Sequence, residues 1–282
     1  MRHREFIVNG GHRIAASFAG PEGGMPVMLL HGGGQTRHAW GKAAAALARV
    51  GCRAYSLDLR GHGDSAWSAD GNYALEAYCD DLRGVVEQIG RTPALVGASL
   101  GGMVALLAAA ETPPLAISCL VLVDVTARLS TKGVDYIAGF MNGTVGGFDS
   151  IEEAGLAVAK YLPHRKPPKD LSGLRKNLRE GKDGRLYWHW DPAMQRGGSE
   201  DDMATLARRM EAAARLVDAP TLILRGGKSE LVTPEAASEF VQMFPRGEFV
   251  EIGDAHHMVA GDQNDPFSQA MVDFIGRHTA PL

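Results

Sequence analysis

Thr92 to Ala110 constrains this chain more than any other stretch. Pro93-Ala-Leu-Val-Gly-Ala98 has the length and composition of a short strand buried on both faces, and it runs without a spacer into Ser99-Leu-Gly-Gly-Met-Val-Ala-Leu-Leu-Ala-Ala-Ala110, a strong helix former. Between them stands Gly97-Ala98-Ser99-Leu100-Gly101. A chain that passes from strand to helix at one residue holds that residue in a strained conformation, and glycines two positions to either side let neighbouring backbone close in on it. The Ser99 hydroxyl is then expected to project clear of the sheet. The helix that begins there aims unpaired N–H groups and the positive end of its dipole at the space beside it.

The runs around this unit repeat its logic. Val27-Met-Leu-Leu30, Cys52-Arg-Ala-Tyr-Ser-Leu57 and Cys119-Leu-Val-Leu-Val123 read as buried strands, and residues 39–50 and 75–89 read as helices between them. Strands alternating with helices imply right-handed βαβ units, hence one largely parallel sheet with helices on both faces. Upstream, Glu5-Phe-Ile-Val8 and residues 13–18 alternate apolar and polar about Asn9-Gly10-Gly11, the pattern of an antiparallel hairpin. From 126 to 216 no strand-like run appears, and the segment is expected to be a helical lid inserted into a core formed by 1–125 and 217–282. Within it, the polar patch His164-Arg-Lys-Pro-Pro-Lys169 is expected to be a mobile surface connection. The alternation resumes with Pro220 to Gly227, a helix over 234–243, the strand Glu248 to Ile252 and a last helix over 266–277.

Composition narrows the partners. The 282 residues carry 29 Lys+Arg against 33 Asp+Glu, a formal charge of −4, with no basic stripe, so neither nucleic acid nor an anionic membrane is an expected partner. Met1-Arg-His-Arg-Glu-Phe-Ile-Val8 lacks the apolar stretch of a secretory signal, and a cytoplasmic location is expected. Cys52, Cys79 and Cys119 lie far apart within apolar or helical patterns and read as buried thiols.

In an open parallel sheet, ligands bind beyond the carboxyl ends of the strands, so reactive residues are sought just after them. Ser99 is one. His31-Gly-Gly-Gly34 follows another strand and can turn a backbone N–H toward that of Leu100 to hold an oxyanion, with Gly33 the expected donor and Gly34 its neighbour. A serine hydroxyl needs a base, and the base needs an orienting third group. Of ten histidines, only His256 and His257 lie in the loop directly after the last strand, and adjacent side chains cannot both face Ser99. No ligand set of metal spacing accompanies them in sequence, so no metal is expected. The order Ser, acid, His places the carboxylate in the loop Arg225 to Pro234, where Glu230 is the one acidic residue. Asp124, after the preceding strand, is the alternative.

His31-Gly32-Gly33, the turn Asp58-x-Arg60-Gly61-x-Gly63-x-Ser65, the Ser99 bend and Gly253-x-x-x-His257 together resemble the α/β-hydrolase superfamily, in its lid-bearing branch of esterases, cofactor-free haloperoxidases and carbon–carbon bond hydrolases. The likeness covers nearly the whole chain outside 126–216. It implies an α/β fold with a mostly parallel eight-stranded sheet, and His257 as the base, since this family sets an apolar or small residue after the histidine and Met258 follows His257. It also implies an acyl-enzyme on Ser99, since members that act through an alkyl ester carry Asp there. The expected activity is hydrolysis of a carboxylic ester, lactone or thioester of a small to medium lipophilic substrate, without a cofactor. A carbon–carbon hydrolase, a perhydrolase or haloperoxidase, and a non-catalytic receptor of the same fold are the competing readings. In the lid, Tyr136, Phe140, Trp188 and Trp190 are candidates to line the substrate pocket.

Overall fold

The computed structural model describes residues 1–165, 170–194, 200–257 and 264–279. Residues 166–169 of the expected mobile connection, and Met258, lie outside them. The strands β1 (Arg2–Val8), β2 (His12–Ala19), β3 (Pro26–Leu30), β4 (Arg53–Leu57), β5 (Ala94–Ala98), β6 (Leu120–Val123), β9 (Thr221–Gly226) and β10 (Gly247–Ile252) form one sheet in the order β1-β2-β4-β3-β5-β6-β9-β10. From β4 to β10 every pairing is parallel, and β1 and β2 close the other edge antiparallel. The hairpin β1–β2 turns through Asn9 and Gly10 at positive φ, with the Gly11 N–H donating to the Val8 carbonyl at 3.0 Å.

Alternate residues of the central strands feed two separate cores, which is why these strands read as continuous apolar runs. Met28, Leu30, Leu95, Leu120, Leu122 and Ile223 face one side, where α2 (Leu75–Ile89), α3 (Leu100–Ala110) and the inner face of α6 (Glu200–Leu216) pack. Val27, Leu29, Val96, Val121, Leu222 and Leu224 face the other, against α1 (Gly41–Arg49) and α8 (Asn264–His278). The helix α7 (Pro234–Val241), capped by Thr233, covers the β9–β10 edge. All three cysteines are free and buried, and burial pushes the Cys79 and Cys119 thiols up to about 12.

The excursion between β6 and β9 holds α4 (Thr131–Gly143) and α5 (Ile151–Tyr161), each opened by a serine whose hydroxyl accepts a backbone N–H, at Ser130 and Ser150. It also holds something the sequence reading did not find: an antiparallel ribbon of β7 (Leu178–Glu180) and β8 (Leu186–Trp188). Three-residue strands are too short to show a period of two. α6, the last part of the segment, lies on α3 through Met210, Ala213 and Ala214 and shares the layer of α2. The ribbon's exit is tied to the sheet side: Gly63 N–H donates to His189 O (2.6 Å) and Asp191 N–H to Gly61 O (2.7 Å), and the Tyr73 hydroxyl donates to the Asp191 carboxylate.

Candidate active site

Ser99 sits at the β5–α3 bend with φ 47° and ψ −117°, a conformation that side-chain-bearing residues rarely adopt. The surroundings impose it. Ser99 N–H donates to Val123 O (3.2 Å), and Ser99 O accepts from Gly102 (2.9 Å) and Met103 (3.0 Å). A Cβ on Gly97 would lie 2.2 Å from Gly101 O, and one on Gly101 would lie 2.3 Å from Leu30 O, so both positions admit only glycine.

The glycine turn after β3 lies against this bend, since a Cβ on Gly32 would sit 3.4 Å from Ser99 Cβ. Most of its N–H groups are engaged: Gly32 donates to Gln35 Oε1 (3.2 Å), Gly34 to His62 Nε2 (3.1 Å) and Gln35 to Gly32 O (3.1 Å). Among the described residues the N–H groups of Gly33 and Leu100 have no such partner. Those are the two N–H groups that the sequence pattern names as candidate oxyanion donors.

Two buried histidines hold the turn, and neither role was read from the sequence. Leu59 N–H donates to His31 Nε2 (3.0 Å), so the ring proton is on Nδ1, which donates to Gly32 O (2.8 Å). His62 repeats the arrangement: its Nε2 accepts from Gly34, and its Nδ1 donates to Arg60 O (2.9 Å). Burial pulls His31 down to about 4. His62 falls to about 3 through burial, with the neighbouring His31 ring as a further cause. The Asp58–Ser65 turn beneath them is a set of staples. Asp58, fully buried, pairs with the Arg37 guanidinium and accepts from Arg37 N–H (2.6 Å) and Asp64 N–H (2.9 Å). Arg60 grips Asp81 through two bonds, and a Cβ on Gly63 would fall 2.2 Å from the Asp58 carboxylate.

These neutral rings imply an acid-sensitive fold. Both have folded-state values below the ordinary 6.5, so their contribution to stability is complete above about pH 6.5 and is lost as pH falls toward about 4 and about 3. Between pH 7.5 and pH 5, the unfolded chain takes up protons that the folded chain refuses, a loss of about 2 kcal/mol per ring. The melting temperature should drop by roughly 10 °C over that interval, and His62→Gln, whose amide keeps one donor and one acceptor, should flatten the slope. A melting temperature unchanged between those pH values would show that the rings charge freely in the fold.

His257 Nδ1 lies 2.7 Å from Asp124 Oδ2. A carboxylate only accepts, so Nδ1 carries the hydrogen and Nε2 is left to take a proton. Asp124 follows β6 directly, beside Ser99's strand, with φ 48°, and its side chain is completely buried. Gly226 N–H (3.1 Å) and Ser229 Oγ (2.5 Å) donate to its carboxylate. The structure does not bring Glu230, the expected acid, to His257: its half-exposed side chain reaches His256 Nδ1, and it is the alternative, Asp124, that bonds to His257, with the loop after β9 supplying donors to the Asp124 carboxylate. Ser229, which sequence reasoning passed over, is one of those donors.

The fold also gathers what sequence spacing kept apart. His164, Glu230 and His256 offer ligand atoms all within 4.8 Å of one another, although no metal spacing links them along the chain. Of the aromatic candidates, Trp188 is buried in the core of the excursion, its Nε1 donating to Thr144 Oγ1 (2.8 Å) and its ring against Phe140 and Phe148. Phe140 stacks on Tyr161 at 4.1 Å, and Tyr136, half-exposed, caps that stack at 5.1 Å. Trp190 belongs to the same core as Trp188 and also approaches the glycine turn. A Cβ on Gly34 would meet Met141 Cε at 3.2 Å and Trp190 Nε1 at 3.9 Å.

Comparison with known proteins places this arrangement. The alpha/beta hydrolase family profile matches residues 27–270. The chain is 32% identical over 248 residues to the esterase Rv0045c of Mycobacterium tuberculosis, covering 84% of this chain and 78% of that one. It is 31% identical over 268 residues to the sn-1-specific diacylglycerol lipase ABHD11 of Mus musculus, covering 88% and 80%. Among solved structures, E-2-(acetamidomethylene)succinate hydrolase superposes with a TM-score of 0.81 at 25% identity, over 97% of this chain and 98% of that one. An eight-stranded sheet in this order, a serine on the bend after β5 and relatives of esterase and lipase type lead to one conclusion: the chain belongs to the alpha/beta hydrolase family.

Proposed function

We propose that this protein is a serine hydrolase that cleaves a carboxylic ester, lactone or thioester of a small to medium lipophilic substrate through an acyl-enzyme, with Ser99 as nucleophile, His257 as base and Asp124 as the orienting acid. The observation that carries the reading is the 2.7 Å bond from His257 to a buried carboxylate at the strand end beside Ser99. Ser99 Oγ attacks the carbonyl carbon as its proton passes to His257 Nε2. The new oxyanion accepts from Gly33 and Leu100, each such donor being worth about 2.7–4 kcal/mol in comparable sites. The carbonyl re-forms, and the leaving alcohol takes the proton from His257. Water, losing a proton to the same nitrogen, then attacks the acyl-serine, and Ser99 Oγ leaves with that proton from His257 as the carboxylic acid is released. No step calls for a cofactor. The proposal includes a cytoplasmic place with no nucleic-acid or membrane partner, in keeping with a charge of −4 and with described helices none of which is long and apolar enough to cross a membrane.

In this reading residues 126–216 form a lid, and Met141 and Trp190 are the pocket roof. Trp188→Ala and Trp190→Ala should both lower the melting temperature, because a buried Trp truncated in a small core costs about 3–5 kcal/mol, and Trp190→Ala should in addition shift acyl-chain preference toward longer esters. Profiles of p-nitrophenyl esters from two to twelve carbons, beside thermal melts, separate the two, and an unchanged profile in Trp190→Ala would remove that residue from the pocket. The class itself is tested with a fluorophosphonate probe. A covalent adduct located on Ser99, together with turnover on an ester, lactone and thioester panel, is the expected outcome. An unlabelled Ser99 would instead support a non-catalytic member of the fold.

A further inference from the structure

We propose that His164, Glu230 and His256 form a site for a divalent transition-metal ion of the zinc type, joining the excursion to the loop that carries His257. His164 lies in the turn that follows α5, where Arg165 N–H donates to Leu162 O (3.0 Å). Glu230 lies in the loop after β9, and His256 in the loop after β10. The ring of His164 stacks on that of His256 at 3.5 Å and 11°, and Glu230 Oε1 bonds to His256 Nδ1. Ligand atoms from all three side chains fall within 4.8 Å of one another.

The donor set and its anchoring point the same way. Two imidazoles and one carboxylate, with a fourth position left to water, make a set that zinc favours, whereas magnesium and calcium require oxygen cages. Around a tetrahedral zinc with bonds of about 2.0–2.1 Å, ligand atoms stand roughly 3.3 Å apart. The widest pair therefore needs to close by up to about 1.5 Å and the His164 ring to turn out of its stack on His256, rotations open to His164 and Glu230, both exposed. The backbones are fixed. Leu231 and Val232 bury the loop next to Glu230 against Leu129, Val134 and Ile137, and the Leu231 carbonyl accepts from Ser130 at 2.9 Å. On the other side of His256, Ala255 is fully buried and His257 is bonded to Asp124. An ion here takes one ligand from the excursion and two from the core. It would restrain the two against each other and hold the backbone next to His257.

Binding and its consequence are measured separately on the full chain, since only the second rests on the hydrolase reading. Equilibrium dialysis or titration calorimetry with zinc chloride should give one ion per chain at up to about 100 µM free metal, with no binding of magnesium. His164→Ala and His256→Ala should each weaken zinc by at least about tenfold, since even groups that merely orient ligands contribute 10–100-fold. No saturable zinc binding, or variants that bind as the native chain does, would overturn the site. For the consequence, zinc should slow p-nitrophenyl acetate hydrolysis by the native protein, EDTA should reverse it, and the ratio of rates with and without zinc should approach one in His164→Ala. Binding with equal inhibition in His164→Ala would place the inhibitory ion elsewhere and overturn the bridge between excursion and base loop.

Discussion

Ser99→Ala is expected to abolish ester hydrolysis, by on the order of a millionfold in turnover, while leaving the melting temperature within a few degrees of the native value. The size of the effect follows from chemistry. Alanine keeps the bend but has no atom to form the acyl bond, so only oxyanion binding and proximity remain. The small effect on folding follows from the site, because Ser99 Oγ has no hydrogen-bond partner among the described residues and the bend is held by backbone bonds to Val123, Gly102 and Met103. Alanine at φ 47° is strained much as serine is. His257→Ala should be comparably severe, for without the imidazole the hydroxyl keeps its proton. Retention of a tenth of native turnover by Ser99→Ala, measured with a chromogenic acetate and intact circular dichroism, would end the serine mechanism.

How much of this was legible in the sequence depended on how local the signal is. The Ser99 bend is written in consecutive residues, because the close approaches that require Gly97 and Gly101 are made by backbone within four positions of each other and by the neighbouring strand. The central strands were legible because burial on both faces leaves an unbroken apolar run, and the edge hairpin because its residues alternate about Asn9-Gly10-Gly11. β7 and β8 were not, since the contacts that stabilise three-residue strands come from the rest of the excursion. His62 stood in the Asp58–Ser65 pattern as an unremarked position. Its partner, the Gly34 N–H, is 28 residues away, and nothing in a linear reading aligns them. Trp188 and Trp190 looked equivalent as neighbours in an aromatic run. In the fold both enter the core of the excursion, and the placement of the ribbon brings Trp190 over Gly34 as well. The cluster of His164, Glu230 and His256 is the extreme case, since it draws on three segments that meet only in the fold.

The acid was the hardest residue to read, and its variants give the second large expected effect. Chain order places a carboxylate between serine and histidine, and both Asp124 and Glu230 satisfy it. What favours Asp124 is reach. Asp124 lies at the end of the strand paired with Ser99's own, buried, with two donors from the β9 loop aimed at it and the His257 ring 2.7 Å away. Glu230, one methylene longer and half-exposed, is spent on His256. Asp124→Asn should therefore lower turnover by about ten-thousandfold, since an amide cannot stabilise the imidazolium and its NH2 favours the wrong tautomer of His257. It should also cost some stability, because the Gly226 N–H and the Ser229 hydroxyl lose part of a charged acceptor in a buried place. Glu230→Gln, assayed in EDTA, should stay within tenfold of native turnover, since what it loses is part of a half-exposed hydrogen bond to His256. The comparison is made at saturating substrate with both variants under one condition. A collapse in Glu230→Gln beside a near-native Asp124→Asn would show that the loop after β9 supplies the acid during turnover, with His257 leaving Asp124 to meet it.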